Sequence, residues 1–169
     1  EGTEGVGKTT NIQFIQSWME KNKLAFATTR EPGGTPLAEQ IRELLLAPRE
    51  EQVCNTAELL LMFAARAQHL NQVIEPMLSE GAWVLCDRFT DASYAYQGAG
   101  RGLGNDAVAA LERQVQGELR PDLVILLAHT PETGQGEVVL VRHSSRHELD
   151  EQQRIPMPGH IIESRMVDR

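Results

Sequence analysis

The sequence predicts an α/β domain built on a parallel sheet, and three observations carry that expectation. Helical periodicities alternate with short apolar runs as far as about Leu127. Those runs end in charged or turn-forming residues, as strands do where they deliver side chains to the carboxyl edge of a sheet. The chain also opens on a glycine-rich stretch that passes straight into a helical pattern.

The opening stretch comes first in order. Gly2, Gly7, Lys8 and Thr9 fit the spacing G-x-x-x-x-G-K-[ST]. Backbone N–H groups of such a loop ring a phosphate chain, its Lys reaches the terminal phosphates, and its Thr hydroxyl holds Mg²⁺. A nucleoside triphosphate is the ligand this implies. Glu4 inside the loop either points outward or accepts a hydrogen bond from a sugar hydroxyl of a second substrate. A loop of this kind ordinarily leaves a buried strand, which is expected to precede Glu1 and to be missing here, together with some N-terminal sequence.

From Lys8 to about Lys21, Ile12, Ile15 and Met19 mark a helical face that Phe14 and Trp18 widen. Leu24–Thr29 reads as a strand running into the turn-rich Arg30–Thr35. Pro36–Leu46 reads as a helix, with Pro suited to the first turn. After the charged connector Pro48–Asn55, a long helix is expected from about Thr56 to Leu78. Trp83–Cys86 is a buried-strand run that presents Asp87 and Arg88 at its end. A carboxylate there can reach Mg²⁺ through water and a guanidinium can clamp phosphate, or the two form a structural ion pair. Val108, Leu111 and Val115 align on a further helix ahead of the strand run Leu123–Leu127. Val138–Val141 has strand character, whereas Pro156, Pro158 and Gly159 interrupt the remaining stretch.

Other candidates stand on these elements. Arg66 shares a stripe with Leu59, Met62, Phe63 and Leu70, so it either snorkels to water or lines a pocket. Phe63 and Met62 beside it suit a planar base. Gln97, with one donor and one acceptor face, either reads a base edge or is an ordinary loop residue.

Composition narrows the class. The 169 residues are 41% hydrophobic and 24% charged, which is globular, and the net charge of −8 gives no nucleic-acid footprint. No apolar run approaches a membrane span. Cys54 and Cys86 fit neither a zinc nor a redox spacing and read as reduced structural thiols of a cytosolic protein.

Together, five strings resemble the bacterial thymidylate kinase family of P-loop nucleoside-monophosphate kinases: GTEGVGKTT at 2–10, TREPGGTPLAEQIRELLLAP at 29–48, ELLLMFAARAQHL at 58–70, VLCDRFTDASYAYQGAGRGL at 84–103 and LRPDLVILL at 119–127. The resemblance implies a three-layer α/β/α P-loop kinase fold, formed as a single domain over 1–169. Its well-matched core is 1–127, with a divergent lid region at about 128–155 and a divergent tail at 156–169. It implies phosphoryl transfer from ATP to thymidine 5′-monophosphate (dTMP), with Mg²⁺, by a cytoplasmic homodimer that binds neither nucleic acid nor membrane. An impaired or truncated nucleotide-binding homologue without a working lid is the alternative.

Position by position, the resemblance assigns ATP to Gly2-Thr3-Glu4-Gly5-Val6-Gly7-Lys8-Thr9-Thr10, with Lys8 and Thr9 serving its phosphates and Mg²⁺. Glu4 holds the 3′-hydroxyl of the acceptor sugar. Arg42 and Arg88 grip the acceptor phosphate, and Glu31 and Asp87 support the metal. Arg66 and Gln97 read the base, Phe63 or Met62 packs on its face, Ser93 lies close, and Tyr96 crowds the 2′ position. The lid run is altered: Arg146-His147-Glu148-Leu149-Asp150 is followed by Glu151 where the family carries Arg, leaving Arg142 and Arg146 as the lid cations.

Overall fold

A computed structural model of the chain describes residues 1–3, 5–129 and 136–142. The elements in order are α1 Lys8–Lys21, β1 Phe26–Arg30, α2 Pro36–Leu46, α3 Asn55–His69, a π-helical turn Leu70–Ile74, α4 Glu75–Ser79, β2 Trp83–Asp87, α5 Thr90–Ser93, a π-helical segment Tyr94–Gly100, α6 Asn105–Gln116, β3 Leu123–His129 and β4 Gly136–Arg142. They form two units, Glu1–Asn22 with Arg120–Arg169, and Lys23–Leu119. Each unit carries parallel strand pairing, so the α/β class read from the sequence stands.

In the first unit, Gly2 bridges Leu127 of β3 in parallel, and Leu127 N donates to Glu1 O at 3.0 Å. The strand position ahead of the loop, expected to be missing, is thus occupied in part by Glu1 and Gly2. A side chain at Gly2 would press on Leu127 O at 2.3 Å, so only glycine lets the two strands approach this closely. The run expected at Val138–Val141 is β4, and it pairs antiparallel with β3, Leu123 opposite Arg142. Within this unit β3 thus has a parallel neighbour at Gly2 and an antiparallel one in β4.

In the second unit, β1 and β2 pair in parallel from Phe26↔Trp83 to Arg30↔Asp87. One more bond, Glu31 N to Asp87 O at 3.0 Å, extends the ladder, so Glu31 and Arg88 leave the same carboxyl edge. The strand begins two residues later than expected because Lys23 turns the backbone at φ 56°. Pro36 starts α2 where the sequence placed it, and Thr35 caps it by accepting from Ala38 N at 3.1 Å.

The single helix expected over about 56–78 is broken. Pro76 has no N–H to give to Gln72, and the ladder slips to a π turn in which Glu75 N donates to Leu70 O. Two apolar clusters form the core of this unit. Leu59, Phe63 and Val108 pack with Leu103 and Leu111, and Leu70, Ile74 and Phe89 pack with Val84 and Leu119. Full burial of each such side chain contributes roughly 1.5–3 kcal/mol.

Candidate functional site

Within the first unit, the glycine-rich loop is described at residues 1–3 and from Gly5 onward. Gly5 and Gly7 have φ 77° and 88°, a left-handed backbone that glycine adopts at no steric cost. Gly7 is the residue ahead of α1, and no side chain caps that helix. The first N–H groups of a helix have no partner within it, and a helix N-terminus favours an anion. Lys8 folds across the loop, its Nζ donating to Gly2 O at 2.9 Å and Thr3 O at 2.6 Å. Thr9 and Thr10 come next, with exposed side chains. Glu4 and Arg146 lie outside the described residues, and Arg142 is the last residue of β4.

The second unit holds a buried polar network centred on Arg66, which is 1% exposed. Its Nε donates to Glu31 Oε2 at 2.6 Å, Nη1 to Gln116 Oε1 at 3.2 Å, and Nη2 to Phe89 O at 3.1 Å and Ser93 Oγ at 3.0 Å. The guanidinium also lies between the rings of Phe63 and Phe89, 4.7 and 5.0 Å from their centroids. Four of its five N–H groups are spent, and one on Nη1 remains.

Glu31, 3% exposed, gives its other oxygen to His69 Nδ1 at 3.1 Å. The fully buried His69 reaches Thr29 Oγ1 through Nε2 at 2.6 Å. A carboxylate so placed is tolerable only because both oxygens are paired. Arg66 thus neither snorkels to water nor stands open; it is the hub of the network.

A second contact runs parallel to that hub. Glu58, Met62 and Arg66 are four residues apart in sequence and share one face of α3. Ser93 and Gln97 carry the partner row: Arg66 meets Ser93, and Gln97 Nε2 donates to Glu58 Oε1 at 2.9 Å. Arg101 binds the same carboxylate, Nη2 to Oε2 at 3.1 Å. Burial pushes the Glu58 carboxyl up, but hydrogen bonds from Gln97 and Arg101 outweigh it and hold the group below the ordinary glutamate range. Gln97 is 5% exposed, and its Oε1 is buried with no partner. Met62 lies half-buried between the two rungs of the sequence row.

Asp87 Oδ1 is likewise buried and unpartnered. Arg88, next in the chain, has φ 67°, a left-handed conformation rare for a residue with a side chain, and its guanidinium lies 5.0 Å from the Tyr96 ring centroid. Arg42 Nη1 donates to Pro32 O at 3.0 Å. Among the described residues neither Arg42 nor Arg88 has a carboxylate within ion-pair distance, which leaves both available to an anion.

The family model for thymidylate kinase matches residues 1–155. A Hahella chejuensis protein named thymidylate kinase is 56% identical over 154 residues, covering 91% of this chain and 72% of its own. The chain belongs to the thymidylate kinase family. A Teredinibacter turnerae thymidylate kinase is 63% identical over 127 residues, 75% of this chain, which spans 62% of that relative's length. The crystal structure of thymidylate kinase from Ehrlichia chaffeensis matches at TM-score 0.66 and 35% identity, over 76% of this chain and 67% of that one. The thymidylate kinase likeness therefore holds for sequence and fold alike.

Four residues of the network had no place in the sequence reading: Thr29, Glu58, His69 and Gln116. Two carried a signal. Glu58 is two helical steps before Arg66 and His69 is one turn after it, both on the stripe that marked Arg66. Thr29 and Gln116 come from distant elements, and no periodicity links them to α3. No helix among the described residues is long and apolar enough to cross a membrane.

Proposed function

We propose that the protein containing this chain transfers the γ-phosphate of ATP to dTMP, giving ADP and thymidine diphosphate on the route to dTTP. One observation carries the reading. Arg66 and Gln97, one on each of the paired rows, leave a single N–H donor and a single carbonyl acceptor without protein partners. Thymine offers the complement, an O4 acceptor beside an N3–H donor, whereas cytosine reverses both.

The remaining roles follow the family resemblance. The loop Gly2–Thr10 holds the ATP phosphates, and Lys8 leaves its two carbonyls to meet them. Arg42 and Arg88 bind the dTMP phosphate. Met62 or Phe63 packs on the base, Ser93 bounds it, and Tyr96 crowds the 2′ position. Glu4 takes the 3′-hydroxyl, and Arg142 and Arg146 act as lid cations.

Mg²⁺ is a hard ion that prefers oxygen ligands and keeps several waters. Thr9, with an exposed hydroxyl, and Asp87, with a buried Oδ1 that has no partner, each offer the oxygen type that ion prefers, directly or through water. Glu31 fits less well, since both its oxygens are committed, and its part is to hold Arg66. When bound, the ion neutralises charge on the phosphates.

An oxygen of the dTMP phosphate forms the new P–O bond as the bond to the β-phosphate oxygen breaks, and ADP leaves with that electron pair. The nucleophile is already ionised, so the residues position and neutralise rather than remove a proton. The chain forms one kinase domain in a cytoplasmic homodimer. Leu37 and Leu44, 49% and 47% exposed and two turns apart on α2, support a partner at that face.

A coupled ADP-release assay with dTMP, dUMP, dCMP, dAMP and dGMP in turn tests the activity, with sedimentation for the dimer. The expected result is fastest turnover with dTMP. Preference for another monophosphate, or none at saturating ATP and Mg²⁺, overturns the reading.

A further inference from the structure

Glu58 lies two turns before Arg66 on α3 and, through its hydrogen bond from Gln97 Nε2, decides which face of that amide is turned away from it. Its carboxyl is held ionised at neutral pH, so it has only lone pairs to offer. The group facing Glu58 Oε1 at 2.9 Å is therefore the NH₂ of Gln97, and the carbonyl of that amide is turned away. There Oε1 is buried without a partner. Arg101 fixes the carboxylate from its outer side, Nε to Oε1 at 3.3 Å and Nη2 to Oε2 at 3.1 Å. Leaving a buried carbonyl unsatisfied is unfavourable, and a chain keeps such an arrangement where a ligand completes it.

We propose that Glu58 is a positioning residue for pyrimidine specificity: by holding Gln97 Nε2 it locks the amide carbonyl toward the base, so the pocket accepts a ring N3–H and rejects a ring N3 lone pair. The inference rests on the proposed dTMP kinase activity, in which the base lies against Gln97. It extends that activity to a residue outside the pocket. Thymine and uracil both carry N3–H, so the lock separates them from cytosine and does not separate them from each other.

The test compares kcat/KM for dTMP and dCMP in the parent chain, in Glu58→Gln, and in the reciprocal pair E58Q/Q97E. A glutamine at 58 can donate, which frees the Gln97 amide to turn its NH₂ to the base. The dTMP:dCMP ratio should then fall by about tenfold, the scale of one hydrogen bond. The change should appear in KM for the monophosphate, with KM for ATP unmoved; a merely structural role would shift both. In the pair, the carboxylate at 97 is again acceptor-only, the net charge is restored, and the dTMP preference should return. Should Glu58→Gln melt below the assay temperature, the ratio is read below its melting point, where a fall supports the lock and an unchanged ratio overturns it. A parent that prefers dTMP while folded Glu58→Gln keeps the same ratio overturns the lock only. A parent with no preference for dTMP over dCMP removes the kinase proposal and the lock together.

Discussion

Arg66 is a residue whose surroundings set two consequences in competition. Truncation to Ala leaves Glu31 buried with His69 as its one remaining partner, and breaking a buried ion pair costs about 3–5 kcal/mol. The same change deletes the N–H offered to the base. Arg66→Ala should therefore lower unfolding free energy in urea by an amount in that range and weaken dTMP binding more than ATP binding by calorimetric titration. Arg66→Lys keeps the charge but lacks the planar fork that reaches Glu31, Gln116 and Ser93 at once, so it should fall between parent and Ala in stability. An Ala variant as stable as the parent would mean the network is no strut. Equal losses for both nucleotides would take Arg66 out of the base site.

Elements differ in how openly the sequence declares them. Helix α2 was legible to the residue, because Pro36 suits a first turn; the Thr35 cap that confirms the start came from the structure. The segment after β2 was not. Tyr94–Gly100 is π-helical, so its inward residues Gln97 and Gly98 obey no 3.6-residue stripe, and the string reads as a loop. Arg66 was visible as a cation on an apolar face, while the segment that answers it was visible only as the turn-rich Arg30–Thr35. That turn is tightly built. At Gly34, φ 87°, a Cβ would lie 2.5 Å from the His69 ring and 2.7 Å from Thr29 Oγ1. Gly34→Ala should displace His69 from Glu31 and destabilise by about 1–3 kcal/mol from overpacking alone. Gly81→Ala is the control, since Gly81 has φ 78° and nothing within 4 Å of its Cβ. Denaturant midpoints should rank parent, then Gly81→Ala, then Gly34→Ala; equal losses would reduce the effect to backbone strain.

At the scale of the whole molecule, a net charge of −8 sets a repulsion that lessens as pH falls from neutrality, which by itself favours the folded state. Two carboxylates oppose it. Glu39 is held below its ordinary value of 4.5, first by the Gly34 N–H and then by Arg30, and Glu58 is held low by Gln97 and Arg101. For a group whose folded pKa is depressed, stabilisation is complete above the unfolded value. It is lost as pH falls through the folded one, because the unfolded chain takes up the proton first. Stability should therefore decline below about pH 4.5 as the unfolded forms of these two glutamates protonate, against the relief of repulsion that accompanies the fall from pH 7. Urea unfolding at half-unit steps from pH 7 to 3 measures the profile. Glu39→Gln removes one of the two groups, so its decline below pH 4.5 should be shallower than the parent's while its profile above pH 5.5 runs parallel. Superimposable declines in parent and variant would show that Glu39 binds its proton equally well folded and unfolded, and would place the acid sensitivity elsewhere in the chain.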